Sequence, residues 1–167
     1  MAAILDLLEQ TGMRENEAVS LTADNVDHER RQIRLLRTKT SRPRTIAWVT
    51  PGGNATPLLG QAARNGYLFP NRDGQPYRNA ASNYGQVMRR VAARCKAENI
   101  PFTRFRIHDL RHAFAIRWLK AGGDIYRLSR HLGHTSVKTT EIYLSALTAD
   151  ELDRVLHVGT KDGTETL

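Results

Sequence analysis

A single cysteine, Cys95, leaves no internal disulfide to be made, which favours a reducing, intracellular setting. No uninterrupted apolar run approaches the ~20 residues that a membrane-spanning helix needs. Met1 to Leu8 is apolar, but Asp6 interrupts it and no basic segment precedes it, so it reads as a helix start and not as a signal peptide. Internal repeats and low-complexity segments are missing, which sets aside solenoid arrays. Acidic side chains are in deficit: 17 Asp plus Glu stand against 25 Lys plus Arg, giving a net charge of +8 and a pI near 10.1. A domain this basic fits a polyanionic partner, and nucleic acid is the commonest one. What is present is ordinary: 167 residues, 40% hydrophobic and 7% aromatic, enough for one compact domain with one sizeable core.

The hydrophobic spacing predicts an α+β chain, mostly α-helical with a small antiparallel sheet. A helix is expected over Ala3 to Gln10, with Ile4, Leu7 and Leu8 on one side and Thr11-Gly12 as its stop. A second helix is expected from Arg14 to Leu21, turning Ala18, Val19 and Leu21 inward. Ile33 and Leu35 then alternate with Gln32, Arg34 and Leu36, as in a strand, and Thr45 to Val49 returns beside it. The hairpin tip falls near Lys39 to Pro43. Pro51 to Pro57 reads as a loop, and Tyr67 to Pro70 as a short buried segment before a turn. Helices follow over Asn79 to Glu98 and Ile107 to Ala121, the second with Ile107, Leu110, Phe114 and Trp118 as its stripe. Asp124 caps a helix from Ile125 to Leu132. Ser136 to Tyr143 is a short helical stretch, and a capping box at Thr148 to Glu151 starts a last helix over Leu152 to His157. Residues 159–167 read as a polar, disordered tail after a domain spanning 1–158.

Four groups of residues could carry chemistry. His108 and Arg111 lie three apart on a helix and share a face at the edge of its apolar stripe. Taken alone, such a pair fits a surface His and Arg flanking a core seam better. The same helix offers a rival reading. His108 and His112 have the i, i+4 spacing of a zinc-binding H-E-x-x-H helix, with Asp109 where Glu should be and His131 and His134 as further nitrogen ligands. Against it, Asp is a methylene shorter than Glu, and Arg111 would put a permanent cation beside the metal. The second group runs from His131 to Tyr143. A helix ends at Gly133, so His134 sits in a turn where its ring can enter a cleft, and Tyr143 follows nine residues later. An isolated tyrosine of this kind fits better as a core residue whose hydroxyl finds a partner. Third, Arg14 opens a helix, where backbone N–H groups favour an anion, although a salt bridge to Glu17 is the alternative. Fourth, Lys39 lies near the hairpin tip.

Together these groups resemble the tyrosine recombinase, or phage integrase, family over nearly the whole chain, from Ile4 to about Leu144. Thr11-Gly12-Met13-Arg14 with Glu17, the hairpin Arg37-Thr38-Lys39-Thr40, His108-Asp109-Leu110-Arg111-His112, and Leu132-Gly133-His134 with Tyr143 stand where that family has its motifs. The resemblance implies the family's catalytic-domain fold and site-specific recombination of double-stranded DNA. Tyr143 would attack a phosphodiester to give a 3′-phosphotyrosyl bond and a free 5′-hydroxyl, and a second 5′-hydroxyl would reseal the strand. Arg14 and Arg111 would clamp the nonbridging oxygens and His134 would add a donor. His108 would accept the tyrosine proton, and Lys39 would protonate the leaving oxygen. Arg42 is a poor substitute for Lys39, because a guanidinium hardly gives up its proton. Arg37, Arg42 and Arg44 would contact DNA. No cofactor, metal or ATP is implied, since the phosphotyrosyl ester keeps the energy of the bond it replaces.

The resemblance also implies partners: other recombinase subunits, forming a tetramer on DNA in the intact protein, and no membrane. The setting would be cytoplasmic and nucleoid-associated, in a prokaryote or phage. Family members carry an additional N-terminal helical domain, and it and the first catalytic-domain helix are expected to be absent here. The domain alone is then expected to bind DNA weakly, with strong salt sensitivity, and to cleave poorly or not at all. Leu152, Val155 and Leu156 form an apolar edge for a neighbouring subunit or for this chain's own core.

Overall fold

A computed structural model of the chain describes residues 2–36, 43–59, 66–71, 73–76 and 80–157. The hairpin tip with Arg37, Lys39 and Arg42, and the tail, lie outside the described residues. In chain order the elements are α1 (Ala2–Thr11), α2 (Glu15–Val19), a 3-10 turn (Ala23–Asn25), β1 (Val26–Asp27), β2 (Gln32–Leu35), β3 (Arg44–Ala47), β4 (Val49–Thr50), β5 (Gly53–Asn54) and α3 (Thr56–Leu59). There follow α4 (Ala80–Ala97), α5 (Ile107–Lys120), α6 (Ile125–Leu132), α7 (Lys138–Glu141), a second 3-10 turn (Leu144–Ala146) and α8 (Ala149–His157).

The expected sheet is present. β1, β2 and β3 form an antiparallel sheet in that order, with Ile33 opposite Val26 on one side and Ile46 on the other. The period-2 rule holds on β2: Ile33 and Leu35 are buried, Arg34 between them is exposed. The region 51–57 departs from the loop that its Gly and Pro suggested. Val49–Thr50 pairs with Gly53–Asn54, and α3 follows directly. Trp48, buried between β3 and β4, donates its backbone N–H to Arg31 O and accepts from Ala55 N, and after it the returning strand turns into a second small hairpin.

Two apolar clusters meet on α5. One gathers Ile4, Leu7 and Leu8 of α1 with Ala18, Ile33, Leu35, Ile46, Trp48 and Leu68, and Ile107 and Leu110 of α5 pack against it. The other holds Phe114, Ala115, Trp118 and Leu119 of α5 with Leu128 and Leu132 of α6, Tyr143 and Val155. The polar turn of α5 therefore lies at the seam between them. Arg117 ties the same helix to its neighbours, donating to Gly52 O at 3.0 Å and to Glu9 O at 2.6 Å. Val155 packs into this chain's own core, and the side chain of Leu156 lies outside the described residues. The Thr148 capping box forms as expected, Thr148 N donating to Glu151 Oε2 at 2.9 Å.

Candidate active site

Three successive carbonyls at the C-terminal end of α6 organise the site. Each receives a different arginine: Arg44 Nε donates to His131 O at 2.9 Å, Arg111 Nη2 to Leu132 O at 2.6 Å, and Arg14 Nη2 to Gly133 O at 3.4 Å. The last carbonyls of a helix have no partner within it and carry the negative end of its dipole, so cations gather there. Gly133 makes the approach possible. It ends α6 in the left-handed conformation (φ 70°), and a Cβ there would fall 2.9 Å from Arg44 Cζ.

The Thr-Gly pair before Arg14 has a comparable physical meaning. Gly12 adopts φ 62°, and a Cβ on it would lie 2.3 Å from Phe114 Cδ1. In this turn Gly12 O accepts from Arg111 Nη1 at 2.8 Å, and Thr11 O accepts from His131 Nε2 at 2.8 Å. Two loops remote in sequence thus hold Arg111 from both sides, and it is only 3% exposed. Burial, then Arg14 and Arg44, lowers its pKa to about 10, so it remains a cation at neutral pH.

Glu17 is the counter-ion. Arg44 forks onto it through Nη1 to Oε1 at 2.8 Å and Nη2 to Oε2 at 2.9 Å, while Arg14 donates its backbone N–H to Oε2 at 2.8 Å and Nη1 to Oε1 at 3.4 Å. Burial works to raise the Glu17 pKa, yet the bonds from Arg44 and Arg14 outweigh it and hold the carboxyl below the usual range. Arg44 was expected at DNA. Its side chain is 10% exposed, with the guanidinium forked on Glu17 and Nε on His131 O, so it braces Arg14 and the α6 end instead. Three guanidiniums against one carboxylate leave two positive charges in excess.

His134 lies between Arg111 and α7, with Nε2 3.2 Å from Arg111 Nη2 and Nδ1 2.8 Å from Thr140 Oγ1. A guanidinium has no lone pair, so Nε2 must accept and the ring proton sits on Nδ1, donated to Thr140. Burial, then Arg111, Arg14 and Arg44, lowers its pKa to about 4. The ring expected to donate toward a ligand is here neutral and accepting; an anion beside it would raise its proton affinity and reverse that role.

Tyr143 is 5% exposed, in the turn between α7 and the second 3-10 helix. Burial raises its pKa and Arg111 acts against that, so the phenol needs a proton acceptor at neutral pH. The acceptor read from the sequence, His108, is exposed and makes no hydrogen bond to Tyr143. His112 faces the phenol instead, with Nδ1 3.1 Å from Oη. His112 entered the sequence reading as a zinc ligand and as the last residue of the His108 to His112 motif, with no role toward Tyr143; its signal was the one-turn offset from His108, which carries it toward the second cluster and Tyr143.

The zinc arrangement is not assembled. His131 Nε2 is committed to Thr11 O, His134 faces Arg111, and among the described residues no three His, Cys, Asp or Glu side chains gather as metal donors.

The chain belongs to the phage integrase family, whose sequence model matches residues 1–150. It is 32% identical over 133 residues to the integrase of Escherichia phage P2, covering 80% of this chain and 34% of that protein. It is also 32% identical over 153 residues to the tyrosine recombinase XerC of Roseiflexus castenholzii, covering 84% of this chain and 46% of that one. The chain thus spans less than half the length of these relatives. The crystal structure of XerA recombinase superposes with a TM-score of 0.62 at 26% identity, covering 97% of this chain and 58% of XerA, so the fold is that of a tyrosine recombinase catalytic domain. Among the described residues no helix is long and apolar enough to cross a membrane.

Proposed function

We propose that this chain is the catalytic domain of a site-specific DNA recombinase or integrase, breaking and rejoining double-stranded DNA through a phosphodiester bond to Tyr143. The observation that carries this is the gathering of Arg14, Arg111 and Arg44 on three consecutive carbonyls of α6, in the same cluster as a buried tyrosine with an imidazole on its hydroxyl. Family membership and a net charge of +8 support it.

The two excess positive charges suit an anionic phosphodiester, and suit its pentacovalent transition state better, since negative charge builds on the nonbridging oxygens. Arg14 and Arg111 bind those oxygens; Arg44 and Glu17 keep the guanidiniums aimed. His134 fixes the Arg111 end-groups and becomes a donor once the phosphate is in place. Lys39 protonates the leaving 5′-oxygen. The tyrosyl ester conserves the bond energy, so a second 5′-hydroxyl reseals the strand without ATP. Assembly with further subunits into a tetramer on DNA, and a place at the bacterial or phage chromosome, belong to the same proposal and rest on the family.

Covalent trapping tests it. The protein is incubated with nicked duplex DNAs in EDTA, quenched with detergent and run on a denaturing gel beside Tyr143→Phe. Whatever protein–DNA adduct forms is expected to survive EDTA and to vanish in Tyr143→Phe. An adduct that persists in Tyr143→Phe removes Tyr143 as nucleophile, and one that requires metal removes the proposed chemistry.

A further inference from the structure

The geometry points to Thr140 as a positioning residue for strand cleavage: its buried hydroxyl selects the tautomer of His134, and its carbonyl fixes the turn that presents Tyr143. The inference rests on the strand-cleavage reading above. α7 is four residues long and polar throughout, Lys138-Thr139-Thr140-Glu141. Thr139 is exposed, yet Thr140 beside it is 0% exposed. A hydroxyl taken out of water costs free energy unless it is bonded, so a threonine at a site that valine would fill has to find a partner. That partner is the His134 ring, with Nδ1 2.8 Å from Oγ1.

All three polar groups of Thr140 are committed. Its backbone N–H goes to Val137 O at 2.7 Å, and its carbonyl accepts from Tyr143 N at 3.1 Å. One residue thus holds the arginine-facing imidazole through its side chain and the tyrosine backbone through its main chain. Its β-branch stiffens χ1, which keeps the hydroxyl on the ring.

Two groups set the His134 ring from either side. Arg111 Nη2 lies 3.2 Å from Nε2 and can only donate. Thr140 accepts the proton of Nδ1. The hydrogen bond made by one ring nitrogen decides the state of the other. With Nδ1–H on Thr140, Nε2 stays aimed at the arginines that would hold the phosphate. The charged and titratable groups around the ring are Arg111 and His108 of α5, Arg14 before α2 and Arg44 of β3; with burial, they oppose protonation of both nitrogens. Once a phosphate is seated, Nε2 takes a proton from solvent and donates it to the anion. A hydroxyl both donates and accepts, so the Thr140 contact survives in either state of the ring. Without the hydroxyl that constraint is lost, and the proton redistributes between the two nitrogens.

Two measurements test this. Thr140→Val and Thr140→Ser separate the hydroxyl from the turn, since neither removes the carbonyl that holds Tyr143. In protein carrying 15N-histidine, the His134 ring resonances are identified by their loss in His134→Gln. At neutral pH the native chain and Thr140→Ser are expected to show a proton on Nδ1 and none on Nε2. Thr140→Val is expected to move that proton to Nε2 or to spread it over both. The rate of adduct formation with nicked duplex DNA is expected to fall about 10–100-fold in Thr140→Val, the range for losing a group that orients an imidazole, and to recover in Thr140→Ser. In a His134→Gln background, Thr140→Val should cost nothing further, because the hydroxyl acts through the ring. A native ring with its proton on Nε2, a native-like pattern in Thr140→Val, or losses that multiply in the double replacement overturn the assignment. The native pattern needs no variant of Thr140, so it decides even where Thr140→Val does not fold. An adduct that persists in Tyr143→Phe counts against cleavage through Tyr143, and the ring pattern in DNA-free protein still decides the Thr140 contact.

Discussion

A histidine held neutral inside a fold is a liability in acid, and this site holds two. His131 is sandwiched against Phe114 and Trp118 with Nε2–H donated to Thr11 O, and burial lowers its pKa to about 4. His134 is lowered to about 4 by burial and by the arginines around it. In the unfolded chain each titrates near ~6.5. Between those values the unfolded state binds more protons than the folded one, so stability must rise with pH there. It is fully present above ~6.5 and is lost as the pH falls toward 4. Urea midpoints taken at intervals across that range should therefore drop steadily on acidification, and His131→Gln should flatten part of the slope. A midpoint constant from neutrality to pH 4 would show that neither ring is held as described. At this scale the sequence exposed the residue types well. Arg14, Arg111, His134 and Tyr143 do come together. It could not divide labour among like residues: whether Arg44 meets DNA or Glu17, and whether His108 or His112 meets the phenol, depends on packing between segments far apart in the chain.

At the scale of elements, the site is built from ends. Gly12 after α1, Arg14 before α2, the α6 terminus and the turn after α7 all contribute groups that a helix interior would have consumed. The two left-handed glycines are therefore the sensitive positions. Gly12→Ala must take an unfavourable φ, worth about 1–2 kcal/mol, and also displace Phe114 from the centre of the second cluster. Gly133→Ala carries the same backbone cost but meets a side chain, Arg44, that can move. The expectation is a larger loss of urea stability for Gly12→Ala than for Gly133→Ala, with adduct formation impaired in both. Equal losses would mean that Phe114 relaxes as readily as Arg44. The helices were legible because their apolar stripes run over several turns. β1, β4 and β5 were not, because strands of two residues each contain no alternation to read.

Over the whole molecule, the arginines separate into those that brace the fold and those that face solvent. Arg44, Arg111 and Arg117 hold backbone carbonyls or a carboxylate. Arg104 and Arg106 are exposed beside an open concavity of about 310 Å³ lined also by Tyr84, Phe105 and His108, at the outer edge of the site. Arg106 is held loosely, by a surface pair with Asp109 at 3.2 Å. If DNA enters along this edge, these two cations displace counterions and the bracing arginines do not. Each phosphate contact contributes about −0.9 to the slope of log K against log salt on duplex DNA. Using Tyr143→Phe to prevent turnover, Arg104→Gln and Arg106→Gln should each shallow that slope by about 0.9 for nonspecific duplex, with urea stability little changed. The double replacement should shallow it by about twice as much. A slope unchanged in both variants would move the DNA path away from α4 and the start of α5, toward the hairpin that carries Arg37, Lys39 and Arg42.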